Sequence, residues 1–398
     1  MGHRRDDRAE DPHPVEHPAV TAKVAVLGAG VMGSVAARLI ARHADEVDIL
    51  VVDVDLDRAK AVVADIGTGE ARAFDAKSDE LTRMLREVQA VAVCLPYRLN
   101  IPVMEAALEA RTHYADLGGL FHTTLKQLEY SERFTHAGAA AVLGIGSCPG
   151  MTNILAKFGA DQLDSVVSID MVDGAIEEGG GGFGVPYSVE TVFDEFTLPA
   201  MVFEDGELKE VPAASGVVMW DFPEPLGTLP AMYTLHSEPA TLPQTVPGVR
   251  DVRWRLALPS AVHEGFAFLT EIGMVSSEPV NTPDGRVLPR EVTAAVLERL
   301  PAYEGPPRDI EFIDVRVVGM KDGKPARWRG LAKLTPPPEG IPGGSFGTAL
   351  PIAITARWMA YGKVSPGVHP PEVAFDNAEF IAELEREGVE FTFSLEVG

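Results

Sequence analysis

Two cysteines in 398 residues leave no material for a disulfide framework or a zinc cluster. Cys94 lies in an apolar run, Val91 to Leu95, and reads as core, whereas Cys148 lies in a turn. This usage fits a reducing cytoplasm. No apolar run is long enough to span a bilayer, and the polar N-terminus has no apolar signal core, so neither membrane insertion nor secretion is expected. Positive charge is also scarce. The 34 Lys and Arg, only ten of them lysine, face 59 Asp and Glu, for a formal net charge of −25. Such a surface repels nucleic acid and anionic membranes and concentrates cations, an amine substrate among them, although solubility alone accounts for the same charge. No group of His, Cys and Asp has metal-ligand spacing, so no metal is expected.

What is present is the makeup of an ordinary globular protein, 46% hydrophobic and 23% charged, at a length that suits two domains. Residues 1–20, rich in Asp, Arg, His and Pro, read as a disordered arm. The organising stretch follows. Val24 to Leu27 form an apolar run that predicts a buried parallel strand, and Gly28-Ala29-Gly30-Val31-Met32-Gly33 closes it. Met32, Val35, Ala36, Leu39 and Ile40 then recur at helical spacing. Strand, glycine turn and helix are the context of a dinucleotide fingerprint. Gly28 permits the turn, Gly30 lets backbone approach a pyrophosphate, and Gly33 lets helix pack on strand. A second apolar run, Val47 to Val52, ends at Asp53, twenty residues beyond Gly33. An acid there accepts the ribose hydroxyls of NAD and repels the 2′-phosphate of NADP, and Val54 follows it with no adjacent arginine. NAD rather than NADP is expected.

From Thr21 onward, strands alternate with helices. Six strands, ending in Ala139 to Ile145, predict a doubly wound parallel sheet over 21–150. Ligands bind outside the carboxyl ends of such strands. Asp53, Asp75, Leu95-Pro96-Tyr97, Asp116-Leu-Gly118-Gly119 and Ser147-Cys148-Pro-Gly150 all fall at those ends and are expected around one cleft. Residues 151–343 read as an inserted α+β domain on a mixed or antiparallel sheet, with a hairpin at Lys321-Asp-Gly-Lys324. The glycine-rich stretch from Glu178 to Pro186 reads as a mobile loop able to act as a lid. Residues 344–398, opening on an apolar helix from Thr348 to Tyr361, are expected to return to the first domain.

A hydride-transfer enzyme needs few protein groups, because the dinucleotide carries the redox chemistry. Tyr97 can bond the nicotinamide ribose or a substrate amine. Asp116 can pair with an ammonium and accept its proton. Gly118, Gly119, His122 and Cys148 are candidates to contact substrate; for His122 a helix-start role competes. In the second domain Arg253 and Arg255, two apart on one strand face, can clamp a substrate carboxylate, and His263 on the next helix is a further pocket candidate.

Together, Gly-Ala-Gly-x-Met-Gly, Asp53, Leu95-Pro-Tyr97, Asp116-Leu-Gly-Gly119 and Cys148-Pro-Gly-Met-Thr-Asn153-Ile-Leu155 resemble the saccharopine dehydrogenase-like family, and within it the NAD-dependent lysine 6-dehydrogenases. The resemblance implies a Rossmann domain completed by C-terminal helices, an inserted substrate-binding and dimerisation domain, a homodimer, and Asn153 among the substrate residues. It also implies oxidation of the ε-amine of L-lysine by NAD to allysine, which cyclises to piperideine-6-carboxylate, with Asp116 or an activated water as base. Leu120 stands where some lysine 6-dehydrogenases carry His, and Cys148 stands where saccharopine reductases carry Asp. Two alternatives therefore accompany this reading. One is a saccharopine- or carboxynorspermidine-type reductase that forms a secondary amine, and the other a non-catalytic NAD-binding regulator.

Overall fold

The computed structural model describes residues 21–75, 80–177, 183–185, 188–283, 285–300 and 305–398. The N-terminal arm and the greater part of the expected lid loop lie outside these residues.

The first sheet has seven parallel strands. Their order from one edge is Gly367–His369, Ala140–Val142, His113–Asp116, Ala90–Val93, Ala22–Leu27, Val47–Asp53 and Glu70–Ala73. The sequence predicts six strands. The seventh is a three-residue strand, too short to show a period, recruited from near the C-terminus. The central strands are apolar at nearly every position because both faces are covered. Val24, Val26, Ile49, Val51, Ala90 and Ala92 face helices Val31–Ala41, Leu56–Ile66 and Gly343–Ala360. The alternate residues Ala25, Leu27, Leu50, Val52, Val91 and Val93 face helices Leu81–Leu85, Asn100–Ala110 and Ser131–Ala137.

The second sheet is mixed, with nine strands. Its main path runs Val218–Asp221, Thr228–Met232, Asp251–Ala257, Ser165–Glu177, Asp309–Lys321, Lys324–Leu334 and Glu390–Val397. Only the pairing of Asp251–Ala257 with Ser165–Glu177 is parallel along this path. The expected hairpin turn holds Asp322 and Gly323 at positive φ, 50° and 72°. Helix Gly343–Ala360 is buried on nearly all sides and packs on helix Val31–Ala41, on the first sheet and on strand Asp309–Lys321. It therefore ties the two sheets together. The sequence sends all of 344–398 back to the first domain, but the last strand pairs with Lys324–Leu334 and finishes the second sheet. Its alternating Phe391, Phe393, Leu395 and Val397 are a half-buried strand pattern that needs a sheet edge.

Candidate active site

The fingerprint turn is built as a cradle. Gly28 sits at φ 97°, and a Cβ placed there would lie 2.5 Å from the carbonyl oxygen of Cys94. A Cβ on Gly33 would lie 1.7 Å from the Gly28 oxygen, so only glycine allows this strand–helix approach. Gly30 has nothing within 4 Å of its Cβ position; the space in front of the helix Val31–Ala41 N-terminus is open. Open space, unpaired N–H groups and the helix dipole are what a pyrophosphate requires. Asp53 is buried, and its carboxylate takes the amides of Ala29 at 2.8 Å and Asp55 at 2.9 Å. A pocket of about 390 Å³ lies alongside, lined by Gly28, Gly30, Asp53, Val54, Asp75, Leu95 and Pro96 among others. Val31 and Val54 expose 68% and 74% of their surface at this turn, apolar area that a bound nucleotide would cover. These residues fit a dinucleotide. Arg58, five residues after Asp53 and not adjacent to it in sequence, also lines the pocket, 4.0 Å from the Asp53 carboxylate.

Asp116 is placed differently from the expectation. It is wholly buried and accepts four hydrogen bonds, from Gly118 N at 2.9 Å, Gly144 N at 2.7 Å, Tyr114 OH at 2.7 Å and Gln127 Nε2 at 2.6 Å. Burial raises its carboxyl above the usual range, and these donors act against that rise. With both oxygens engaged by these donors, Asp116 is tied into the fold rather than presented to a substrate ammonium. Instead it fastens the loop after its own strand to the loop after Ala140–Val142. Gly118 and Gly144 pack against Pro149, next to Cys148.

Cys148 therefore reaches the carboxyl end of the parallel sheet, where the second domain meets it. The Cys148 thiol and the carboxylates of Asp173 and Glu311 have their polar atoms within 4.8 Å of one another. No sequence spacing reveals this group, because three separate elements supply it. Ser147 Oγ donates to Glu311. Burial pushes the thiol of Cys148 up, aided by Asp173, Glu311 and Glu238. Burial lifts Asp173 to about 7, and Glu195 and Glu238 add to the rise while His236 opposes it. Glu311 rises well above the carboxylate range by burial and by Asp173 beside it.

His236, which the sequence did not single out, completes the cluster. Its Nδ1 bonds Glu238 at 2.8 Å, and Glu238 accepts from Thr152 at 2.9 Å. The ring stacks on Trp254, centroids 4.2 Å apart, and Trp254 donates to Thr234 at 2.9 Å. Burial disfavours the His236 cation, but Glu238, Glu195 and Asp173 outweigh it and raise the imidazole above its ordinary value.

The remaining expected contacts are not gathered here. Strand register pairs Trp254 with Met171 and Leu256 with Asp173, so the Trp254 face carries the cluster and the alternate residues point away. Arg253 ion-pairs with Glu204, Asp170 and Asp251, and Arg255 with Asp170, on that opposite face; a carboxylate clamp from either is ruled out by direction. Asn153 is buried and held by Glu372 at 3.0 Å and Thr241 at 3.3 Å, which leaves it a structural bond rather than a substrate contact. His122 is exposed beside Phe121. His263 packs on Phe196, and burial lowers its affinity for a proton. Tyr97 sits at the domain seam, 3.4 Å from Asp194, while Arg98 approaches Glu190 at 3.3 Å.

Comparison with known proteins agrees with this architecture. Residues 24–142 match the saccharopine dehydrogenase NADP binding domain, and residues 146–389 the saccharopine dehydrogenase C-terminal domain. The chain is 26% identical over 316 residues to carboxyaminopropylagmatine dehydrogenase of Synechocystis, covering 76% of this chain and 79% of that protein. It is 27% identical over 328 residues to carboxynorspermidine synthase of Vibrio alginolyticus, covering 75% and 78%. The structure of saccharopine dehydrogenase (L-Glu forming) from Saccharomyces cerevisiae superposes with a TM-score of 0.76 at 17% identity, covering 94% of this chain and all of that one, and so shares its fold.

Proposed function

Because the chain belongs to the saccharopine dehydrogenase family and is an NAD(P)-dependent oxidoreductase fold, we propose that it reduces an imine of a polycationic amine to a secondary amine. The observation that carries this reading is the acidic cluster of Asp173, Glu195, Glu238 and Glu311 around Cys148 and His236, with both neighbouring arginines turned to the other face of the sheet. A site so charged favours a substrate bearing ammonium or guanidinium groups. The two relatives compared by sequence are named for carboxylated polyamines, which supports the same class.

The bound dinucleotide supplies hydride chemistry. Asp53 is the residue proposed to accept the adenosine ribose hydroxyls, with Gly30 and the helix N-terminus facing the pyrophosphate; NAD is favoured over NADP on that carboxylate. His236 is proposed to move the proton at the substrate nitrogen. Glu238 fixes its Nδ1 and Trp254 fixes its plane, so the Nε2 edge is the one presented for exchange. Its raised basicity keeps a proton available near neutrality. Ser147 and Cys148 form the wall carried by the first domain.

Oxidation of the lysine ε-amine, implied by the sequence resemblance, is the second reading; a single ε-ammonium also suits the acidic cluster. We further propose a cytoplasmic homodimer, tested by sedimentation and fractionation. The two reactions differ in product. Supplying a diamine, an aldehyde and NADH or NADPH should consume the reduced cofactor and yield a secondary amine seen by mass spectrometry. Ammonia release from lysine with NAD, and no secondary amine, would replace the first reading with the second.

A further inference from the structure

Several buried carboxylates of this protein are compensated by cations or by several donors. Asp314 is held by Arg316, Arg329 and Trp220, Asp194 by Arg290, Glu238 by His236 and Thr152, and Asp116 by four donors. Asp173 and Glu311 differ, although Glu311 accepts a hydrogen bond from Ser147. Among the described residues neither ion-pairs with a lysine or arginine, and Oδ1 of Asp173 is buried with no hydrogen-bond partner. A carboxylate oxygen of each lies within 4.8 Å of the other's, and two buried carboxyls so close are held together by sharing a proton. They lie diagonally across adjacent strands, since Asp173 is in register with Ile313 and Glu311 with Ala175, so both project from one face.

We propose that the Asp173–Glu311 pair seats a cationic group of the substrate, a primary ammonium or a guanidinium, which enters in exchange for the proton the two carboxyls share. This deepens the polycationic-amine reading and rests on it. The exchange is balanced: one cation is bound, one proton leaves to solvent, and the local charge is conserved. A cation in that position reaches the unpartnered Oδ1 and cancels the repulsion that two ionised carboxylates would otherwise suffer. The surroundings set how strongly the pair prefers this. Cys148 faces it from the loop after the parallel sheet, His236 and Glu238 from the segment covering Trp254, Glu195 from helix Val189–Thr197, and Asp309 from the start of the Glu311 strand. Burial and these acids hold the shared proton into the neutral range in the absence of substrate.

The test is titration calorimetry of the cofactor-loaded full chain with 1,3-diaminopropane, 1,4-diaminobutane and agmatine, in buffers of differing ionisation enthalpy on either side of neutrality. Binding of at least one probe should release about one proton below neutrality and fewer above it, with affinity rising as pH rises. Asp173→Asn and Glu311→Gln should each abolish the release and weaken the probe about tenfold or more. Cofactor binding in each variant reports that it has folded. Binding without proton release, wild-type affinity in both variants, failure of every probe to bind, or a stoichiometric divalent metal retained by Cys148, Asp173 and Glu311 would each overturn the proposal. Hydride transfer is followed in parallel. Imine reduction with an unchanged amine KM in both variants removes the exchange and leaves the function, whereas proton exchange without hydride transfer removes the function and leaves the exchange.

Discussion

Ser147 and Glu311, 164 residues apart in the chain, are joined by a buried hydrogen bond. One follows the parallel sheet and the other lies mid-strand in the mixed sheet, so their contact brings the two halves of the candidate site together. It also marks where the fold holds protons. Burial places Asp173 at about 7 and Glu311 well above its ordinary range, each raised further by the other or by neighbouring acids.

A stability dependence on pH follows from that pair. The unfolded chain releases the Asp173 proton near pH 4, roughly, while the folded protein keeps it to about pH 7, and burial raises Glu311 in the same direction. The folded state therefore binds more protons across this window, and its stability contribution from the pair declines as pH rises through it. Glu311→Gln removes the liability. Its melting temperature relative to wild type should rise between about pH 5 and about pH 8, whereas parallel curves would show that the pair is ionised throughout.

Thr152 and Glu238 predict a kinetic effect without substrate contact. Thr152→Val removes the bond that holds Glu238, which in turn holds His236. Stability should fall by about 1–2 kcal/mol. If His236 carries the proton, kcat falls with little change in amine KM, and the pH optimum shifts; Thr152→Ser should restore both. A stability loss with an unaltered pH profile would make the chain of contacts purely structural.

Two glycines separate cofactor contact from folding. Gly30 has β-region φ and open space at its Cβ, so Gly30→Ala should leave the melting temperature unchanged and weaken the dinucleotide about tenfold. Gly33→Ala drives a methyl group into the Gly28 carbonyl and should cost about 3 kcal/mol or more. Thermal melts with cofactor titrations distinguish them.

Asp53 decides between the two dinucleotides. Its carboxylate also braces the turn through Ala29 and Asp55, so Asp53→Ala loosens the site for both cofactors, and the informative quantity is the ratio. The NAD-to-NADP preference should shift toward NADP by about tenfold or more, with Arg58 close enough to help receive the extra phosphate. An unchanged ratio would mean that Asp53 does not read the ribose.

The first domain was legible because its signals are local. Glycine turn, apolar strand and strand-end acid follow one another within about thirty residues, and their order implies the sheet and the cofactor edge. The chemistry of the second domain was not legible for the opposite reason. Asp173, Glu195, His236, Glu238 and Glu311 come from separate elements, and none stands in a motif. Arg253 and Arg255 were correctly placed on one strand face, but parity alone does not say which face meets the cleft; the register with Asp170 and Asp173 does. Asp170 and Asp173 hold the one available hint. Three apart on a strand, they must point to opposite sides, so one of them had to enter an apolar layer. Asp116 misled because a strand-end acid beside two glycines looks the same whether it binds substrate or ties loops, and only its four donors distinguish the cases.

If the acidic cluster selects a polycationic amine for hydride transfer, the distal ammonium of a diamine must matter. The most direct measurement compares kcat/KM for reductive coupling of 1,4-diaminobutane and of butylamine to the same aldehyde, with the same reduced cofactor. The two amines differ in the distal ammonium alone. Losing it should lower kcat/KM by about tenfold or more, and Asp173→Asn should erase most of this difference. Equal values for the two amines in the wild-type protein would contradict this selection.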